Sequence, residues 1–148
     1  FRGVSREVAD KFETLGAPAF APIYAEGASR VQFQGKDPRG WQEFADRLAA
    51  HSSTGAALTM RGVQAMRPSL WDLEDGLKRM TVPTLVIAGT DDAITPSDLG
   101  REVTDLVPGA ELVVLAGVGH LSTLEAPESV AANLSRWHAA LTDSVVRT

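Results

Sequence analysis

The amino-acid sequence predicts an α/β chain: a helical segment, residues 1–81, followed by a βαβα unit, residues 82–148. Three observations carry that reading. Two continuous apolar runs rich in Val and Ile, "TLVIA" (84–88) and "LVVLA" (112–116), have the length and composition of strands covered on both faces of a parallel sheet. The residues between them turn to helical spacing and stop at Pro108-Gly109, which makes strand, helix and strand one crossover unit, expected to be right-handed. Upstream of Thr81 no convincing strand occurs.

Composition narrows the function classes. At 148 residues the chain is long enough for one domain with its own core, and 44% apolar residues with a mean hydropathy near zero describe a globular, soluble protein. A net charge of −5 without a basic cluster argues against nucleic acid or an anionic membrane surface as partner. There is no cysteine, which excludes a disulfide, a thiolate nucleophile and a cysteine metal site. No apolar run approaches a membrane span and no signal peptide is visible, so a cytoplasmic location is expected. The first residue is Phe1 rather than Met, which points to a segment cut or processed from something longer.

Taken in order, the elements are argued from spacing. In the first half Val8, Phe12 and Leu15 form one helical stripe, and Trp41, Phe44 and Leu48 a second. Leu70, Leu73, Leu77 and Met80 form a third, with Ser69 as its cap. Core packing is the plain reading of all three. The Pro/Gly-containing stretch over 16–40 reads as loop with room for one short helix. In the second half Thr95 is expected to cap a helix with Pro96 in its first position and Asp98 completing a Thr-x-x-Asp box. A last helix starts at about Pro127 and sets Val130, Leu134, Trp137 and Leu141 on one face.

That order gives two loops a chemical meaning. "GTDD" (89–92) follows the first strand and "GVGH" (117–120) follows the second, and ligands in such sheets bind at the carboxyl ends of the strands. By itself an Asp-Asp pair is ordinary turn chemistry, and a lone loop histidine is an ordinary surface residue. At two matching strand ends, an acid and a histidine become neighbours. A carboxylate that accepts from one imidazole nitrogen fixes the tautomer and frees the other nitrogen as a base. Glycines at 117 and 119 would let the backbone turn sharply.

Residues 82–141 resemble the C-terminal portion of the α/β-hydrolase fold superfamily. The family's Gly-x-x-Asp turn matches Gly89 to Asp92, with Pro96 following. Its Gly-His after the last strand matches Gly119-His120, and its downstream Glu-x-Pro matches Glu125-Ala126-Pro127. The resemblance implies that Asp92 is the catalytic acid, that His120 is the catalytic base, and that the neighbouring Asp91 is neither. Less specifically, residues 1–81, with "HSSTGAALTMRGVQAMRPSLWDLE" (51–74), resemble the helical cap that this family inserts before those strands.

One expected part is missing from the pattern. The family's nucleophile sits on an elbow, usually Gly-x-Ser-x-Gly, upstream of the cap, and no such motif occurs here. Ser52 and Ser53, beside His51, are the most tempting of the ten serines, but no strand precedes them. The upstream oxyanion-hole loop is missing too, so the chain alone is expected to be inactive. The resemblance implies a small-molecule substrate, a carboxylic ester or a related acyl or C–C bond, hydrolysed without cofactor or metal. It leaves open a serine or an aspartate nucleophile, as in dehalogenases and epoxide hydrolases. An N-terminal hydrolase half, or self-association through an open sheet edge, is the expected partner. The alternative is a noncatalytic binding or scaffold protein derived from a truncated hydrolase. An Mg²⁺ pocket built on Asp91 and Asp92 fits poorly, because the partner strand end supplies a histidine. Trp71 and Met66 are candidates to line a substrate cavity, against the plainer reading of buried packing. His51 and His138 read as solvent-facing, and Glu125 as a residue that sets up the last helix.

Overall fold

A computed structural model of the chain describes residues 2–146, with side chains described through residue 142. It divides into two compact units, Phe1–Ser69 and Leu70–Thr148.

The first unit is built on α1, Arg2–Ala25, which is two helical segments joined at Gly16 (φ 78°, ψ 157°). Its buried row is Ser5, Ala9 and Phe12 before the kink and Ala17, Phe20, Ala21 and Ala25 after it. Phe12 and Phe20 meet edge to face with ring centroids 4.9 Å apart, and Tyr24 packs on both. Leu15, expected in this core, lies beside the buried row and is 51% exposed. The chain continues through α2, Val31–Lys36, and α3, Pro38–Ala49, to α4, Ser53–Thr59, which runs on into a π-helical turn, Met60–Gln64. The stretch 16–40, expected to be mostly loop, is therefore mostly helix. Pro18 falls in the first turn of the segment after the kink, where a missing N–H costs nothing, and the four buried residues from Ala17 to Ala25 supply the packing.

Side chains satisfy several of these helix ends. The Asp37 carboxylate accepts from the Gly40 amide at 2.9 Å, with Pro38 at the first helical position. Trp41 Nε1 donates to the Ala25 carbonyl at 2.9 Å, which satisfies the end of α1. The Arg30 guanidinium stacks over Tyr24 and Phe44, at 4.1 and 5.5 Å from the ring centroids. Ser52 caps α4 through the Gly55 amide at 3.1 Å, and Ser53 Oγ accepts from the Ala17 amide at 2.7 Å. Because Ala17 is fully buried, Ser53→Ala leaves that amide without a partner and should cost about 1–3 kcal/mol. Denaturant unfolding of the two proteins measures it; equal midpoints would show that water replaces the hydroxyl.

In the second unit the run from Leu70 to Met80 forms no continuous helix. It gives a 3₁₀ turn, Trp71–Leu73, and one α turn, α5, Glu74–Leu77. Gly76, a poor helix former, sits in the middle of it, and Leu73 is 45% exposed. Then come β1, Leu85–Gly89; α6, Ser97–Leu106; β2, Glu111–Leu115; α7, Ser122–Glu125; and α8, Pro127–Val146. The strands are parallel and pair from Leu85↔Glu111 to Gly89↔Leu115. Gly100 lets α6 lie close on the sheet: a Cβ there would meet the Ala88 Cβ at 3.2 Å and Leu112 Cδ1 at 3.4 Å. Leu115, Val118 and Val130 form the buried cluster, with Ile87, Val113 and Ala126 packed on it.

Three expectations for this half are corrected. The strands are half-buried except at the buried Gly89 and Leu115 and the exposed Glu111, because among the described residues the sheet has only two strands. Thr95 is no cap: α6 begins at Ser97, and the Thr95 hydroxyl is turned to Asp92. Leu134 is 46% exposed, so the buried face of α8 runs through Val130 and the half-buried Trp137 and Leu141. The second unit begins at Leu70, which lines a cavity together with residues of β1. Among the described residues no helix is long and apolar enough to cross a membrane.

Candidate active site

Parallel pairing in the register Gly89↔Leu115 brings the ends of both strands to one edge, and both loops leave from there. They are then laced together. The Thr90 amide donates to the Leu115 carbonyl at 3.0 Å and the Asp91 amide to the Val118 carbonyl at 2.9 Å. Thr90 Oγ1 accepts from the Gly117 amide at 2.8 Å and donates to Asp91 Oδ1 at 2.8 Å. Gly117 has a φ of +69°, a turn that needs glycine; Gly119 does not share it.

Asp92 sits inside this lacing with a side chain only 8% exposed. Its Oδ1 accepts from the Ile94 and Thr95 amides at 2.8 and 2.9 Å, and its Oδ2 from the Thr95 hydroxyl at 2.6 Å. The same Oδ2 lies 2.9 Å from His120 Nδ1, and Thr95 Oγ1 stands 3.4 Å from that nitrogen. It is Asp92, not Asp91, that reaches the histidine. Asp91 is exposed and takes the Thr90 hydroxyl instead.

Electrostatics follow from these contacts. Burial pushes the Asp92 carboxyl up, but the hydrogen bonds from the Thr95 side chain and amide, His120 and the Ile94 amide outweigh it and hold the group below its ordinary 3.8. Asp92 is therefore ionised near neutrality and can only accept, so Nδ1 carries the proton and Nε2 is left as the basic nitrogen. The folded value lies below the unfolded one, so these bonds contribute stability above the unfolded value. That contribution is lost as pH falls through the depressed value. Thermal melts from pH 7 down to 3 should show this acid loss in the native chain and a smaller one in Asp92→Asn; parallel pH profiles would contradict it.

A cavity of about 260 Å³ adjoins the pair. Leu70, Leu99 and Val103 give it apolar walls, and Asp92, Thr95 and His120 share the lining. About a third of the His120 side chain (34%) is exposed. Trp71 is 56% exposed and is not among the residues that line this cavity; Met66, in the first unit, is 64% exposed. His138 is exposed, and His51, also exposed, lines a separate cavity of about 440 Å³ in the first unit with Phe12, Tyr24 and Met60. Ser52 and Ser53 serve as helix-end acceptors. Among the described residues no group of three or more histidine, aspartate or glutamate side chains converges on a point where a metal could sit.

Sequence reasoning missed the use of Glu125. Its Oε2 accepts from the Gly119 amide at 2.7 Å and its Oε1 from the Leu121 amide at 3.1 Å. The available signal was a carboxylate four residues beyond a loop whose amides have no strand partner.

Residues 3–133 match the model of the alpha/beta hydrolase family. Over 70 residues the chain is 37% identical to a proline iminopeptidase of Lacticaseibacillus rhamnosus, covering 47% of this chain and 24% of that protein. Over 50 residues it is 42% identical to the non-heme chloroperoxidase CPO-A1 of Kitasatospora aureofaciens, covering 33% of this chain and 18% of that protein. The structure of a thermophilic esterase from Thermogutta terrifontis superposes with a TM-score of 0.79 at 25% identity, covering 94% of this chain and 50% of that one. The chain thus spans half the length of that solved structure and less of these curated relatives. With a family match over most of its length and an acid and a histidine paired at the two strand ends, this chain belongs to the alpha/beta hydrolase family.

Proposed function

We propose that Asp92 and His120 are the orienting acid and the general base of a hydrolase acting on carboxylic esters or related acyl or C–C bonds, whose nucleophile lies outside these 148 residues. The observation that carries the reading is the 2.9 Å contact between Asp92 Oδ2 and His120 Nδ1 at the carboxyl ends of two parallel strands. The likeness to an esterase supports esters as the first substrates to try.

The chemistry is as follows. His120 Nε2 takes the proton of a nucleophilic hydroxyl as its oxygen attacks the carbonyl carbon, and Asp92 stabilises the imidazolium that forms. The imidazolium returns that proton to the leaving group as the scissile bond breaks. Nε2 then takes a proton from the water that attacks the acyl-enzyme and gives it to the nucleophile's oxygen as the acyl bond breaks, which releases the acid and regenerates the free hydroxyl and the neutral imidazole. Oxyanion donors must come with the nucleophile, since this chain has no counterpart of that loop.

The test is to co-express the chain with the segment encoded immediately upstream and to assay nitrophenyl esters of graded acyl length. Turnover by the pair, and by neither part alone, is the expected result. An upstream segment without a nucleophile elbow, or a stable pair without hydrolysis, would favour a noncatalytic binding role.

A further inference from the structure

We infer that Glu125 is a positioning residue for His120: its carboxylate braces the histidine loop at the two residues that flank the histidine. The inference rests on the proposed acid–base pair. Its two oxygens take the amides of Gly119 and Leu121, the residues that flank His120, at 2.7 and 3.1 Å. The imidazole is thereby set between two supports. On one side the 89–91 turn holds the backbone at Gly117 and Val118, and on the other Glu125 holds it at 119 and 121. Asp92 itself is fixed independently by Ile94 and Thr95, so the 2.9 Å contact depends on where the loop carries the ring.

A plainer role for Glu125 is to cap α7, whose first turn closes on the Leu121 carbonyl through the Leu124 and Glu125 amides. Capping accounts for the Leu121 amide alone. The shorter bond goes to Gly119, which lies upstream of the helix and belongs to the loop. One carboxylate spanning amides on both sides of a histidine restrains the Cα between them, and with it the direction in which the side chain leaves. A charged acceptor makes both bonds stronger than neutral ones.

The test is carried out on the full chain by imidazole ¹⁵N NMR, with the exposed His51 and His138 as internal references. In the unsubstituted chain His120 should appear as a single Nδ1–H tautomer. Glu125→Ala should return its shifts to those of the references. Glu125→Gln keeps the length and one acceptor oxygen, so it can hold one amide while its NH₂ opposes the other; an intermediate mixture is expected, in a variant that keeps the fold. In the assembled enzyme Glu125→Ala should lower kcat on the order of 10²-fold with KM nearly unchanged, the signature of misplacement rather than lost binding. A His120 that stays in one tautomer in both variants would overturn the brace alone. An averaged His120 in the unsubstituted chain would overturn the acid–base pair and the brace with it.

Discussion

His120→Ala should abolish turnover in the assembled enzyme, and Asp92→Asn should lower kcat by a factor on the order of 10³–10⁴. The reason for the second lies in how Asp92 is held. Its Oδ1 takes two backbone amides, Ile94 and Thr95, and its Oδ2 takes the Thr95 hydroxyl and His120 Nδ1. An asparagine has one acceptor oxygen. If that oxygen stays on the two amides, the NH₂ faces Nδ1, which must then accept, and the imidazole proton moves to Nε2. The nitrogen needed as base is blocked, while the fold is nearly unchanged. Asp91→Asn should alter kcat by only a few-fold, since Asp91 touches Thr90 rather than the histidine. Steady-state kinetics of the three variants decide the matter. An Asp91→Asn loss equal to that of Asp92→Asn would show that the assignment is wrong.

How much of this could be read from the sequence depends on which signals are local. The strands at 85–89 and 111–115 are legible, to within a residue, as the apolar runs 84–88 and 112–116, and two loops at matching strand ends bring an acid and a histidine together; that the acid is Asp92 rather than Asp91 is what the family's Gly-x-x-Asp turn implied. The helices hidden in 16–40 are not legible. Pro18, Pro22 and Gly16 look like loop punctuation, and only the tertiary burial of Phe20 and Ala21 reveals a helical face. The depth of the strands was misread for the same kind of reason. A Val- and Ile-rich run reports what a strand needs to bury, whereas half-burial reports what is present to cover it. By its position before Pro96, Thr95 suits a helix cap. A buried carboxylate competes for the same hydroxyl and wins. Glu125 escaped because its partners are backbone amides, which carry no residue signature.

Gly89→Ala should destabilise the second unit by about 3 kcal/mol or more and detach Asp92 from His120. Gly89 ends β1 beside Leu115, where the histidine loop crosses it. A Cβ at this position would lie 2.0 Å from the Val118 carbonyl oxygen, 2.6 Å from its carbon and 3.0 Å from the Gly119 oxygen. All three atoms are backbone, so no side chain can swing aside, and the crossing loop itself has to move. Moving it strains the bonds that fasten the two loops: Thr90 to Leu115, Asp91 to Val118 and Gly117 to Thr90. The glycine is needed here for space, since its φ lies outside the left-handed region. Gly117→Ala separates the two causes, because Gly117 has a φ of +69° with nothing within 4 Å of an added Cβ. It should cost only the left-handed backbone penalty, about 1–2 kcal/mol. Denaturant unfolding of both variants, with the His120 imidazole followed by NMR, reads stability and site together. If Gly89→Ala costs no more than Gly117→Ala, or leaves the His120 resonance unmoved, the close crossing of the two loops is not what holds the acid and the base in place.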